Sequence, residues 1–221
     1  MASGAKSAET RERILEAAIE LFQRQGFEET TMREIAAEAE VATGAAYYYF
    51  ESKDAIVLAF YERSLHEMEP MLEAALAGTK SLKDRIAAIL EVKLKYFEPN
   101  RRLLGALAAH ADPEHALSPF SDQTQAIREQ DMRFFERALA SGRTHAPPDL
   151  QRHLPRILWM YQMGLILFWI YDRSEGQSRT HSLLAKSVPI VARLVKLAGL
   201  PLMQPVRKMI TELMDGVLQT G

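Results

Sequence analysis

The chain has 221 residues, a formal net charge of −2 and no cysteine. That length suits a small domain followed by a larger one, its 48% apolar content is enough for a core, and without thiols neither disulfides nor thiolate metal sites can form. The opening MASGAKSAETRER is small and polar, with no apolar run, so we expect no signal peptide and a cytoplasmic protein.

In chain order, the first predicted helix spans about Thr10 to Gln25, with Ile14, Ala18, Leu21 and Phe22 inward and Gly26 as its stop. Thr31 with Glu34 forms a T-x-x-E capping box, which starts a second helix carrying Ile35, Ala36 and Ala39 on one face. The chain must turn at Glu40-Val41, with Val41 as an apolar plug. A short helix from about Thr43 to Phe50 follows and holds no charge. Small residues, Gly44 and Ala45, open it, so its backbone can approach another surface. Tyr47, Tyr48 and Tyr49 point about 100° apart and cannot all be buried. At least one hydroxyl therefore faces outward, where it can bond a phosphate or a base edge. Ser52 and Lys53 begin the next helix, where a lysine and free backbone N–H groups suit a phosphate. Two short helices joined by a tight turn have the layout of a helix-turn-helix, whose second helix lies in the DNA major groove.

This segment, from about Thr10 to Ala55, resembles the TetR family of bacterial transcriptional repressors. The residues that carry the resemblance are the helix ILEAAIELFQRQGF, the T-T-x-x-x-I-A start of the second helix and the T-G-A-A-Y-Y-Y-F-x-S-K-D-A run. The resemblance implies an all-α protein. Residues 1–54 would be a three-helix DNA-binding domain, and residues 55–221 a helical domain for effector binding and dimerisation. It implies a homodimeric, ligand-responsive repressor on an inverted-repeat operator of double-stranded DNA, released by a small effector. By position, Thr31, Thr43, Gly44, Tyr47, Tyr48, Tyr49 and Lys53 match residues that touch DNA in the family, while Phe50 and Tyr47 help hold the recognition helix. Arg33 beside that helix and Ala45 at its start complete the candidate DNA-binding set.

Three positions depart from the family pattern. Glu40 stands where glycine is frequent and a positive φ is wanted, at a cost of about 1 kcal/mol. Thr43 replaces a frequent lysine, and Ala45 a frequent hydrogen-bonding residue. Readout is then expected to lean on the Gly44 backbone, the tyrosines and apolar contact with thymine methyls. Residues 1–54 hold six Lys or Arg against eleven Asp or Glu, a net of −5. Phosphate neutralisation supplies much of the affinity of a basic DNA-binding domain, so a modest salt dependence is expected here, with Lys53, Arg33 and a basic N-terminal arm flanking the neutral helix.

Further predicted helices cover about 53–77 with a kink at Pro70, 81–97, 99–110, 121–141, 150–171, 180–198 with a bend at Pro189, and the stripe of Val206, Met209, Ile210, Leu213 and Met214 near the end. Loops fall at 111–120 and 142–149. The run Ile157–Tyr171 is fifteen residues long and contains Gln162, short of the roughly 20 residues of a membrane span. It reads as a helix buried in protein, so no membrane partner is expected. The helices at 150–171 and 180–198 are too apolar for a monomer, the latter through Leu183, Leu184, Ser187, Ile190, Val191, Leu194 and Leu197. They are expected to pair with the same helices of a second subunit.

An effector pocket between helices would be mostly apolar. Its candidates are Tyr96, Leu103, Leu107, His110, Phe120, Ile127, Phe135, Trp159, Met163 and Phe168, a set suited to a flat or greasy ligand. His110 and His115, with Asp112 and Glu114 between them, lie in a loop without further ligands, so no metal is assigned. The chain has no G-x-S-x-G, P-loop, G-x-G-x-x-G or H-E-x-x-H, and neither an enzyme nor a cofactor is expected. An activator, or a helix-turn-helix serving as a non-DNA interaction module, remains open at this level.

Overall fold

The computed structural model describes residues 2–110, 112–140 and 147–218. The described residues are helical with no strand. They form two compact units, one from residues 1–67 with 97–128, the other from 68–96 with 129–221. The predicted loop at 142–149 lies mostly outside the described residues, as does Ser141.

The first unit is built on α1 (Ala2–Arg24), α2 (Met32–Glu38), α3 (Thr43–Tyr49), the opening part of α4 (Lys53–Ala77), and α6 (Arg101–Leu107). Helix α1 begins well before the expected Thr10: alanines at 2, 5 and 8 favour helix, and the Thr10 hydroxyl bonds the Lys6 carbonyl at 2.9 Å. The expected basic arm is thus the first two turns of a helix. The core gathers Ile14, Phe22, Ile35, Ala46, Phe50 and Phe60, with Leu103, Leu107 and Leu117 closing it from the later segment. Each fully buried large side chain there contributes roughly 1.5–3 kcal/mol.

The turn between α2 and α3 follows the expectation at Glu40. Its φ is 53°, the Glu40 N–H bonds the Ala37 carbonyl at 3.1 Å, and the Val41 N–H reaches back to the Ala36 carbonyl at 2.9 Å. This is the paired hydrogen-bond pattern of a Schellman cap, with glutamate in the left-handed seat that glycine prefers. Val41 packs against the core as its apolar partner.

The second unit takes the remainder of α4, then α5 (Leu82–Phe97) as far as Tyr96, α7 (Gln125–Ala140) from Glu129, α8 (Pro148–Gln151), α9 (Leu154–Tyr171), α10 (Ser178–Ala198) and α11 (Gln204–Leu218). Helices α4 and α10 run on through Pro70 and Pro189. The single helix expected at 150–171 is two, α8 and α9. Pro155 sits in the first turn of α9, where its missing N–H is harmless; inside one continuous helix its ring would clash with the carbonyl of Gln151, where α8 ends. The helices expected to start at 99 and 121 start at Arg101 and Gln125; a 3₁₀ turn at Glu98–Asn100 precedes the former.

Helix α9 is not covered on all sides. It buries Leu158, Trp159, Leu165 and Trp169 but exposes Met160, Leu167, Phe168 and Tyr171. Helix α10 buries Leu184, Val188, Ala192 and Val195 and exposes Leu183, Ile190, Leu194 and Leu197. The two are pinned by a bond between Tyr161 Oη and Ser187 Oγ at 2.5 Å. Asp172, just after α9, accepts from the backbone N–H and hydroxyl of both Ser174 and Thr180, at 2.7–2.9 Å. Burial pushes its carboxyl up, but these four bonds outweigh that and hold it well below the usual carboxylate range. Among the described residues, no helix is long and apolar enough to cross a membrane.

Two outcomes follow. Glu40→Gly removes a left-handed penalty of about 1–2 kcal/mol and adds roughly 0.5–1 kcal/mol of chain entropy. It should therefore raise unfolding stability by about 0.5–1 kcal/mol in urea titrations. The depressed Asp172 carboxyl contributes stability above its unfolded value, near about 3.9, and loses it as pH falls towards the folded value. Asp172→Asn should accordingly lower Tm at pH 7, with a deficit that shrinks once the pH drops below about 4.

Candidate nucleic-acid interface

The recognition helix α3 has seven residues, too few to persist on its own hydrogen bonds. Packing holds it: Ala46 and Phe50 are buried, and Tyr49 rests on the core with its hydroxyl 3.2 Å from Ser7 Oγ of α1. The Arg11 guanidinium lies 4.7 Å over the Phe50 ring. The tyrosine cluster resolves as the 100° spacing requires. Tyr48 is 82% exposed and Tyr47 52%, while Tyr49 is half-buried and meets the Tyr48 ring edge-on at 5.2 Å. Phe50 holds the helix as expected, with Ala46 and Tyr49, while Tyr47 turns about half of its surface outward. The Ser7–Tyr49 bond was invisible in the sequence, since the pair is 42 positions apart and Ser7 falls outside the predicted helix.

Thr43, Gly44 and Tyr47–Tyr48 share the outward side of α3, with Ala45 partly exposed. A side chain built on Gly44 would meet nothing within 4 Å, so the fold itself leaves that backbone open. Arg33 is exposed on α2. Two other candidates are occupied internally. The Thr31 hydroxyl donates to Glu34 Oε2 at 2.7 Å and accepts from the Glu34 N–H at 3.3 Å, while its own N–H bonds the same carboxylate at 2.8 Å. This is the predicted capping box, and the Thr31 hydroxyl holds the Glu34 carboxyl below its ordinary value. Lys53 departs further from expectation. Its ammonium donates to the Phe27 and Glu28 carbonyls, at 2.6 and 3.2 Å, and stands 4.5 Å over the Phe27 ring. It secures the loop between α1 and α2. Nothing in the local sequence signals this, because the partners are backbone atoms 25 and 26 positions upstream.

The effector candidates divide between the units. Leu103, Leu107, His110, Phe120 and Ile127 belong to the first; Tyr96, Phe135, Trp159, Met163 and Phe168 to the second. Leu103 and Leu107 are buried in the core behind the helix-turn-helix. His110 stacks on His115 at 4.1 Å and lies 3.4 Å from a Glu28 carboxylate oxygen. Phe120 and Phe168 are exposed, whereas Phe135 and Trp159 are buried. The second unit has an open cleft of about 610 Å³ lined by Asp149, Gln204, Pro205, Lys208, Thr211 and Glu212, and one of about 210 Å³ between Lys83 and Pro189. None of the ten candidates lines either.

Residues 14–60 match the family model of bacterial regulatory proteins of the tetR family, and residues 85–213 match that of the tetracyclin repressor-like C-terminal domain. The chain is 37% identical to the transcriptional regulator BetI of Brucella anthropi over 82 residues, 37% of this chain and 42% of that protein. It is 25% identical to the transcriptional repressor KstR of Mycobacterium tuberculosis over 170 residues, 76% of this chain and 74% of that protein. The fold is similar to that of the regulator FadR from Bacillus subtilis, solved with stearoyl-CoA, at a TM-score of 0.61 and 14% identity over 80% of this chain and 97% of that one. Matched by models that together span both its helix-turn-helix and most of its later helices, the chain belongs to the TetR family of DNA-binding transcriptional regulators, which are not enzymes.

Proposed function

We propose that the protein is a ligand-responsive repressor. As a homodimer it binds an inverted-repeat operator on double-stranded DNA, and a small, largely apolar effector releases it. The observation that carries this is α3: an uncharged helix, held from behind by Ala46 and Phe50, that turns Thr43, Gly44, Tyr47 and Tyr48 outward. Such a surface reads base edges and thymine methyls by close approach rather than by charge. Arg33 supplies a nearby cation. Lys53 acts at one remove, by fixing the loop from which Thr31 starts α2.

Dimerisation is supported by the exposed apolar stripe Leu183, Ile190, Leu194 and Leu197 on α10, beside Met160, Leu167, Phe168 and Tyr171 on α9. Contiguous exposed apolar surface of this kind marks an association site. A two-fold dimer presents two recognition helices about 34 Å apart to successive major grooves. For the effector, the aromatic candidates of the second unit suit an apolar body, in keeping with the stearoyl-CoA in the FadR structure. Helix α4 contributes to both units, and an effector that prefers one setting of it shifts DNA affinity by that preference and no more.

Selection of duplexes from a random DNA pool should enrich an inverted repeat; no enrichment would favour an interaction module in place of an operator-binding protein. On the selected duplex, Tyr48→Ala should weaken binding by about 1–2 kcal/mol, roughly five- to thirtyfold, with unfolding unchanged. Log affinity should fall with log salt at a slope well short of about −10, the value of a repressor that neutralises many phosphates. Ile190→Asp with Leu194→Asp should sediment as monomer and lose operator binding; a dimeric double variant would place the interface elsewhere.

A further inference from the structure

Inside the second unit three polar side chains meet from three helices: Lys93 of α5, Asp131 of α7 and Gln162 of α9. They are 2%, 8% and 1% exposed. The Lys93 ammonium pairs with one Asp131 carboxylate oxygen, and Gln162 Nε2 donates to the other at 2.7 Å. The ammonium also lies 5.6 Å from the centre of the Phe134 ring.

The neighbour fixes the Gln162 amide. Turned over, its oxygen would face the Asp131 carboxylate, acceptor against acceptor. Gln162 Oε1 is therefore the atom left over; it is buried and has no protein partner. A buried ion pair is poor value for stability alone, since apolar side chains of the same volume do as well or better. An orphaned acceptor beside it makes a purely structural role worse. The same three helices place effector candidates one turn from each member: Tyr96 is three residues from Lys93, Phe135 four from Asp131, and Trp159 three from Gln162. Residues at those spacings are neighbours on a helix face.

The charges of the cluster cancel. A carboxylate arriving there would leave a buried net negative charge, and an ammonium a positive one, both strongly unfavourable. A hydroxyl fits without that penalty: its O–H donates to Gln162 Oε1, and its oxygen accepts from one of the remaining Lys93 N–H groups. We propose that Lys93, Asp131 and Gln162 form the polar anchor of the effector site and select a neutral, apolar molecule bearing a hydroxyl, an alcohol or phenol, over the matching carboxylate, amine or hydrocarbon. The assignment rests on the ligand-responsive function proposed above.

The test titrates the full-length protein calorimetrically with naphthol, nonylphenol and decanol, and with naphthoate, naphthalene, decanoate and decylamine. Operator release is followed by fluorescence anisotropy. Hydroxylated members should bind about tenfold or more tighter than their analogues. Gln162→Leu should erase that margin; it also strips Asp131 Oδ2 of its donor, so a lowered Tm accompanies the loss and the affinity comparison is made below that Tm. The double variant Lys93→Met with Asp131→Leu, which replaces the pair without stranding a charge, should erase it too. If carboxylates, amines or hydrocarbons bind best, or the hydroxyl preference survives Gln162→Leu, the anchor is overturned while ligand-controlled release stands. If no compound binds and none moves the protein from its operator, the anchor falls, and ligand control loses its support with it.

Discussion

The whole interface hangs on the burial of one methyl group and one ring. Helix α3 is seven residues long, and an isolated helix of that length melts in water. Ala46 and Phe50 bury its inner side, the Schellman turn at Glu40 sets its entry, and Tyr49 ties it to α1. Because these contacts leave from one side only, the outward residues are free of structural duty. A side chain at Gly44 would meet nothing, and Tyr47 and Tyr48 turn half or more of their surface outward, so substitutions there disturb the domain less than at Ala46 or Phe50.

The occupied candidates make the complementary point. Thr31 and Lys53 both match positions that meet DNA in the family; here the Thr31 hydroxyl donates within a capping box, and two of the three Lys53 N–H groups go to loop carbonyls. Both fix the approach to α2, and through it the angle at which α3 stands on the core. With net acidity in residues 1–54, the proposed DNA contact leans on geometry more than on phosphate attraction.

Much of this was legible in the residues because the signals were local. The Thr31–Glu34 box spans three positions, the positive φ at Glu40 is demanded by a turn of fixed length, and the bounds of α4 fall at Lys53 and Ala77 as read. What escaped depends on distance along the chain. Lys53 finds carbonyls in another loop, Ser7 finds Tyr49, and Leu103 with Leu107 close a core begun some ninety residues earlier, so periodicity could mark them as inward-facing but not say inward to what. The break before Pro155 was local but was masked by a run of apolar residues that reads as one uninterrupted helix. Residue type marks the ten effector candidates, and residue type does not separate a wall from a core.

The acidity of residues 1–54 reaches beyond the operator. A regulator must search a chromosome whose every base pair is a weak competitor, and most such proteins spend their time on that excess because phosphates attract them indiscriminately. A domain with net charge −5 and an uncharged reading helix is held less by bulk duplex. On the proposed operator-binding function, a larger share of the population is then free of bulk duplex and open to a specific site.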